Sequence, residues 1–220
     1  VLDSCSNIHI DSCILKSPKE ATVQTAQDNY SVVFLSPDKH KISDITISNC
    51  DISGGACGIN IKGKSSLKVR NITIENNDIY DTDTYGIYLT YVDTNSAPKN
   101  VCINNRISQR ENVAIPGKFQ GIYVSSSSTD IIANRIIAKD MSYGLYLSTY
   151  NKPTNATNLV ANNEIIGKDG SSSSPTGLNV YSSANHCQIF HNSVYLASKP
   201  ANIRGMYFAS STATSGGKNI

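Results

Sequence analysis

Asn7-Ile-His-Ile-Asp-Ser-Cys13, Asp44-Ile-Thr-Ile-Ser-Asn-Cys50 and Asn71-Ile-Thr-Ile-Glu-Asn-Asn77 are one phrase written three times. The frame continues to Asn105, Asn134, Asn163 and Asn192, at successive spacings of 37, 27, 28, 29, 29 and 29 residues. Three positions before each anchor stands Ile10, Ile47, Ile74, Cys102, Ile131, Val160 or Ile189. Two positions after it stands Leu15, Ile52, Ile79, Ile107, Ile136, Ile165 or Val194. A second phrase alternates with the first: Gly58-Ile-Asn-Ile61, Gly86-Ile-Tyr-Leu89, Gly121-Ile-Tyr-Val124, Gly144-Leu-Tyr-Leu147, Gly177-Leu-Asn-Val180 and Gly205-Met-Tyr-Phe208. Ser31-Val-Val-Phe34 reads as a degenerate first copy. Apolar-x-apolar over three or four residues is a short strand with one face buried.

A repeat of about 28 residues built from two or three short strands cannot bury its own apolar face, so neighbours must stack and share a core. Leucine-rich and ankyrin-type repeats have similar periods but need helices, and no segment shows a 3.6-residue pattern. The remaining architecture is all-β: a parallel β-helix of about seven rungs, right-handed by the usual strand twist. Composition agrees. The 220 residues include 26 Ile, 23 Asn and 30 Ser, which favour strands and turns over helices. The Asn column at 77, 105, 134, 163 and 192 reads as an internal ladder. Asn tolerates left-handed bends, and its amide can bond the rungs above and below.

Charge narrows the partners. Nineteen Lys and Arg against 17 Asp and Glu give +2 with no basic block, which excludes a phosphate-tracking nucleic-acid binder. No apolar run is long enough for a membrane span. The chain enters a rung at Asn7 and reaches the opening of another at Lys218-Asn219-Ile220. The reading is therefore one β-helix domain over 1–220, a segment of a longer chain with both ends uncapped.

With Tyr143-Gly-Leu-Tyr-Leu147 and Cys187-Gln-Ile-Phe-His-Asn-Ser-Val-Tyr-Leu196 in view, the chain resembles right-handed parallel β-helix repeat proteins. That pectate-lyase-like superfamily includes pectate lyases, polygalacturonases and phage tailspikes. In style it is similar to the secreted Asn-rich repeats of Bacteroidetes-type bacteria. The resemblance covers nearly the whole chain and implies a fold far more than an activity.

Six cysteines (5, 13, 50, 57, 102, 187) include no C-x-x-C pair and no zinc spacing. Cys13 and Cys50 hold ladder positions and should stack on adjacent rungs; the expectation is small buried residues left as free thiols. The middle residue of the Gly-x-x-apolar strand points outward and reads Val33, Asn60, Tyr88, Tyr123, Tyr146, Asn179, Tyr207. An aromatic row on a flat sheet suits sugar faces stacking on rings. It equally suits rings that only brace the sheet. Ligand-binding candidates are therefore Tyr88, Tyr123, Tyr146 and Tyr207.

Loop lengths point to one place. The longest connection runs from Ser108 to Gln120, carrying Arg110, Glu111 and Lys118, while only six residues follow Val124 before the next core position. The result is a notch near Tyr123, flanked by Asp81 and Asp83, Lys139 and Asp140, and Lys168 and Asp169. Loops on a rigid scaffold are where binding and catalysis concentrate. Catalytic candidates are Asp81, Asp83, Arg110, Glu111, Lys118 and Asp140: carboxyl pairs for hydrolysis, or cations and a base for a lyase. The polygalacturonase signatures and the Asp-Pro-His-Glu of alginate epimerases are missing, and the four histidines share no site. Asp81-x-Asp83 hints at calcium but falls short of a ligand set, so no metal or cofactor is assigned.

The favoured reading is a monomeric, secreted or cell-surface module binding polysaccharide or glycan along the tyrosine strip. A polysaccharide lyase or glycoside hydrolase is the alternative, and a structural spacer or adhesin shaft the second alternative.

Overall fold

A computed structural model describes residues 5–17, 30–93, 100–113, 116–150, 158–168, 170, 174–181, 187–197 and 202–209. All 21 elements among them are β-strands. The first coil consists of β1 (Ser6–Asp11), β2 (Ile14–Ser17) and β3 (Ser31–Leu35). β4 (Ser43–Ser48) then returns beside β1 in parallel, with Ile8 opposite Ile45 and Ile10 opposite Ile47. The pattern repeats until three parallel sheets of seven strands each are complete, every strand bonded to those three before and after it in the chain.

The recurring apolar positions stack into columns. Ile47, Ile74, Cys102, Ile131 and Val160 line the first sheet. Ile52, Ile79, Ile107, Ile136 and Ile165 line the second, and Ile59, Ile87, Ile122, Leu145 and Leu178 the third. All are fully buried. Each such side chain contributes roughly 1.5–3 kcal/mol, enough to drive coils together that could not stand alone.

The Gly column is a matter of close approach. A Cβ on Gly121 would lie 2.5 Å from Ile136 Cγ2 and 2.6 Å from the Gly144 carbonyl oxygen. The glycine thus lets the third sheet meet the second at a sharp corner. In the first coil Val32 holds this position, which moves the copy by one residue. Val33 pairs with Ile59 and points into the core, and Phe34 pairs with Asn60 in the outward column. The expected outward Val33 is therefore corrected to Phe34.

The ladder runs between the first and second sheets. Asn77 N donates to Asn105 Oδ1 (3.1 Å), Asn105 N to Asn134 Oδ1 (3.0 Å), Asn134 N to Asn163 Oδ1 (2.9 Å) and Asn163 N to Asn192 Oδ1 (3.0 Å). Each Nδ2 also donates to a carbonyl of the preceding coil, as Asn105 does to Ile74 O at 3.0 Å. Cys50 occupies the same slot. Its N–H donates to Asn77 Oδ1, and its thiol donates to Ser48 O and Ile10 O where an Asn would use Nδ2. All six cysteines are free thiols.

The left-handed bend lies one residue before the ladder. Ser12, Asn49, Asn76, Asn104, Ala133, Asn162 and His191 all have φ between 53° and 57°. Ladder residues are kept for their amides, and the residue before them for its tolerance of the bend. His191 is accordingly a bend residue. A second, shorter set of amides supports the entry to the first sheet: Ile72 N donates to Asn100 Oδ1, Asn100 Nδ2 to Ser128 O and Ser128 Oγ to Asn158 Oδ1.

Candidate functional site

Strand register sets the tyrosine strip on the outer face of the third sheet: Asn60, Tyr88, Tyr123, Tyr146, Asn179 and Tyr207 are successive partners. Tyr88 and Tyr123 stack with centroids 4.7 Å apart and planes 5° from parallel; Tyr123 and Tyr146 stack at 5.1 Å and 6°. These spacings are close to that of the strands, so the stack follows from the register. Both faces of Tyr123 are thereby taken by neighbouring rings. Tyr85 and Tyr143 pack against the stack at angles of 72° and 60°, and Tyr181 extends it beyond Tyr146 at 6.2 Å. Burial pushes the Tyr85 phenol up to about 12 and raises that of Tyr146. Asn60 and Asn179 are buried, so the column is not an open platform along its length. Past Asn179, Tyr207 carries the Arg204 guanidinium 4.3 Å above its ring.

A depression bordered by Glu111 lies on the outer face of the second sheet, and Tyr123, where the notch was expected, is not in its lining. Its strands are β8 (Asp78–Thr82), β11 (Arg106–Gln109), β14 (Arg135–Ala138) and β17 (Glu164–Gly167). One outward column reads Asp51, Asp78, Arg106, Arg135, Glu164, with Arg135 Nε 2.9 Å from Glu164 Oε2. The column beside it pairs Ser53 with Tyr80, and Ser108 with Ile137 and Ile137 with Ile166 on the later strands. The small Ser108 makes a dip between Tyr80 and Ile137. β8 bulges here, because Ile79 pairs with Ile107 but Thr82 with Gln109. Asp81, with φ 55°, is the residue the bulge turns out to the rim.

The dip is a cavity of about 640 Å³. Its floor is Tyr80, Ser108, Ile137 and Ala138, and its walls carry Asp78, Asp81, Glu111, Arg106, Lys139 and Lys168. Two further depressions, of about 500 and 680 Å³, continue it on either side toward Gly170 and toward Lys16, and Glu111 and Asn112 border all three. From the coil of Lys16 to that of Gly170 is five strand spacings, roughly 24 Å. The three depressions thus succeed one another across the coils and meet at Glu111 and Asn112.

The catalytic candidates separate. Asp81 and Glu111 line the central cavity with Lys139 and Lys168. Asp83 is fully buried, and Arg110 Nε lies 2.9 Å from its Oδ1 while Arg110 Nη2 donates to Asp81 O at 3.0 Å. That pair anchors the base of the loop, and it parts the two carboxylates of Asp81-x-Asp83. Asp140 is buried beside the smaller depression, and Lys118 is exposed but outside the groove lining. Asp169 lies outside the described residues. Among the described residues, no group of three or more His, Cys, Asp or Glu is placed to hold a metal, and no helix is long and apolar enough to cross a membrane.

Sequence reasoning missed Tyr80, Ser108 and Gln109. Tyr80 and Ser108 stand three positions after the ladder residues Asn77 and Asn105, so following the repeat one outward position further would have found them.

The family model described as right handed beta helix region matches residues 1–217 of the chain. No curated protein and no solved structure matches it.

Proposed function

The chain belongs to the right-handed β-helix family, and from that premise we propose that it binds an extended polysaccharide in the groove of the second sheet, as a secreted or cell-surface module. The observation that carries this reading is the anatomy of the groove. In the central cavity a floor of Tyr80, Ile137 and Ala138 lies between the charged side chains of Asp78, Asp81, Arg106, Glu111, Lys139 and Lys168, and further depressions adjoin it at Glu111 and Asn112. Sugar rings present apolar C–H faces and polar hydroxyl edges, and such a trough answers both. No ring partner of Tyr80 is found among the described residues, whereas the strip from Tyr88 to Tyr146 spends its faces on itself. The strip is assigned to bracing the third sheet.

The test is titration calorimetry against a panel of soluble neutral, acidic and N-acetylated polysaccharides. Tyr80→Ala is expected to weaken binding about tenfold, the worth of one aromatic contact. Tyr123→Ala should lower the melting temperature and leave affinity unchanged. The opposite pattern would return the ligand to the tyrosine strip. Asp81 and Glu111 on one cavity give the enzyme alternative a foothold, so each mixture is also followed at 235 nm and for reducing ends. Unsaturated products would make the groove a lyase site, and reducing ends alone a hydrolase site.

A further inference from the structure

Cys13 and Cys50 stand where the later coils carry a ladder asparagine, and the register sets one directly over the other. Asp11 pairs with Ser48 before them and Ile14 with Asp51 after them, and Asp51 N donates to Cys13 O at 2.9 Å. Stacked positions on adjacent coils are one strand spacing apart, about 4.8 Å, inside the roughly 4.4–6.8 Å between Cα atoms that a disulfide bridges. The other four cysteines have no such neighbour. Cys57 pairs with Ser31 and Tyr85, Cys102 with Ile74 and Ile131, and Cys187 with Asn158, while Cys5 precedes Ser6, which pairs with Ser43.

The two thiols already interact. Burial raises the Cys50 thiol, and Cys13 raises it further by its charge and by a hydrogen bond between the side chains. Cys13 Sγ donates to Asp11 O at 3.2 Å and Cys50 Sγ to Ser48 O at 3.0 Å, equivalent carbonyls on the two coils. The sulfurs therefore point the same way, and a bond between them needs one to turn. Cys13 has the room, being half-buried, while Cys50 is enclosed. An asparagine serves the ladder by bonding to coils on both sides, and among the described residues the first coil has a neighbour on one side only. A covalent link needs just that one neighbour. We infer that Cys13 and Cys50 form an oxidative cross-linking site, joined by a small disulfide oxidant into a bond that fastens the first coil to the second. The Cys13 thiolate attacks one sulfur of the oxidant and releases the other half as a thiol. Cys50, as thiolate, then attacks the Cys13 sulfur of the mixed disulfide and releases the second half. Two protein thiols give up two electrons and two protons, and the oxidant leaves as two thiols. The accessible sulfur meets the oxidant and the sheltered one resolves it.

The whole chain, folded and at pH 8, would be incubated with excess oxidised glutathione, alkylated, digested and mapped by mass. The expected product joins the Cys13 and Cys50 peptides with the loss of two hydrogens and no retained glutathione. Cys50→Ser should instead keep one glutathione on Cys13, and Cys13→Ser should leave Cys50 unmodified. The bond closes a loop of 37 residues, so amide exchange in β1 and β2 should slow about a hundredfold and recover on reduction. Glutathione retained on Cys13 of the wild type, or both peptides recovered unlinked, would overturn the inference. Linkage that forms only after unfolding in urea would overturn it too, because the stacked register would then not be its cause.

Discussion

Asn134→Ala tests whether the ladder is a structural member or a by-product of sequence bias. The Asn134 side chain makes six hydrogen bonds, one of them accepted by Oδ1 from the Cys102 thiol at 3.7 Å. Oδ1 accepts from Asn105 N and Asn105 Nδ2, both at 3.0 Å, and Nδ2 donates to Cys102 O, Ile132 O and Asn163 Oδ1 at 2.9–3.1 Å. Alanine leaves the Asn105 N–H buried with no acceptor, a loss of roughly 1–3 kcal/mol. The donor bonds add about 1 kcal/mol each where no water can replace them. The sum is about 4 kcal/mol, a large share of the roughly 5–15 kcal/mol that holds an ordinary domain. For a chain of this length that is a fall in melting temperature of about 10 °C. Asn192→Ala is the internal control. It occupies the same slot on the last described coil, but it is only partly buried and solvent can serve its partners. Its loss should be about 1 kcal/mol. The assay is urea denaturation of both variants, with hydrogen exchange at the Asn105 amide. An Asn134→Ala protein within about 1 kcal/mol of wild type, or one no worse than Asn192→Ala, would refute the reasoning.

Two further outcomes follow from packing and burial. Gly121→Ala, whose Cβ would press on Ile136 and on the Gly144 carbonyl, should cost about 1–3 kcal/mol. Gly205→Ala meets nothing within 4 Å and should be close to neutral in the same thermal melts. Alkaline pH should weaken the fold. Burial raises the Cys102 thiol from 9.0 to about 12 and the Tyr85 phenol from 10.0 to about 12, and it raises Cys187 as well. A folded-state value above the unfolded one gives a contribution that is full below pH 9 and falls as pH rises toward 12. Urea midpoints from pH 8 to 11 should therefore decline, and a flat profile would show that these groups ionise without resistance.

The fold is legible because its determinants are local and repeated. One glance at the spacing of Cys50, Asn77, Asn105, Asn134, Asn163 and Asn192 gives the coil, and the apolar residues around them give the sheets. What failed did so where one residue depends on a partner a coil away. Ser31-Val-Val-Phe34 offers no glycine to set its frame, so only pairing with Cys57–Ile61 reveals that Val33 is inside. Asn76 and Asn77 look alike in sequence, but one supplies a left-handed φ of 55° and the other supplies the ladder amide. Residue type records the preference and three-dimensional context decides its use.

The candidate site was legible only in its loop. Insertion length between Ser108 and Gln120 is a sequence quantity, and it located Glu111 beside Asp81, Lys139 and Lys168. Whether a charge on that loop is available is another matter. Arg110 and Glu111 are adjacent, yet Arg110 is committed to buried Asp83 while Glu111 borders the whole groove. A bulge in β8 decides which of Asp81 and Asp83 reaches the rim, and no residue type announces it. The tyrosines conceal the converse lesson. A row of rings at strand spacing satisfies itself first, because parallel stacking at 4.7 Å excludes any ligand from between the faces. In a parallel β-helix a repeated aromatic column is therefore weak grounds for a binding strip. An aromatic that occurs in one coil and not in the next, as Tyr80 does above Ser108, keeps a face for something else.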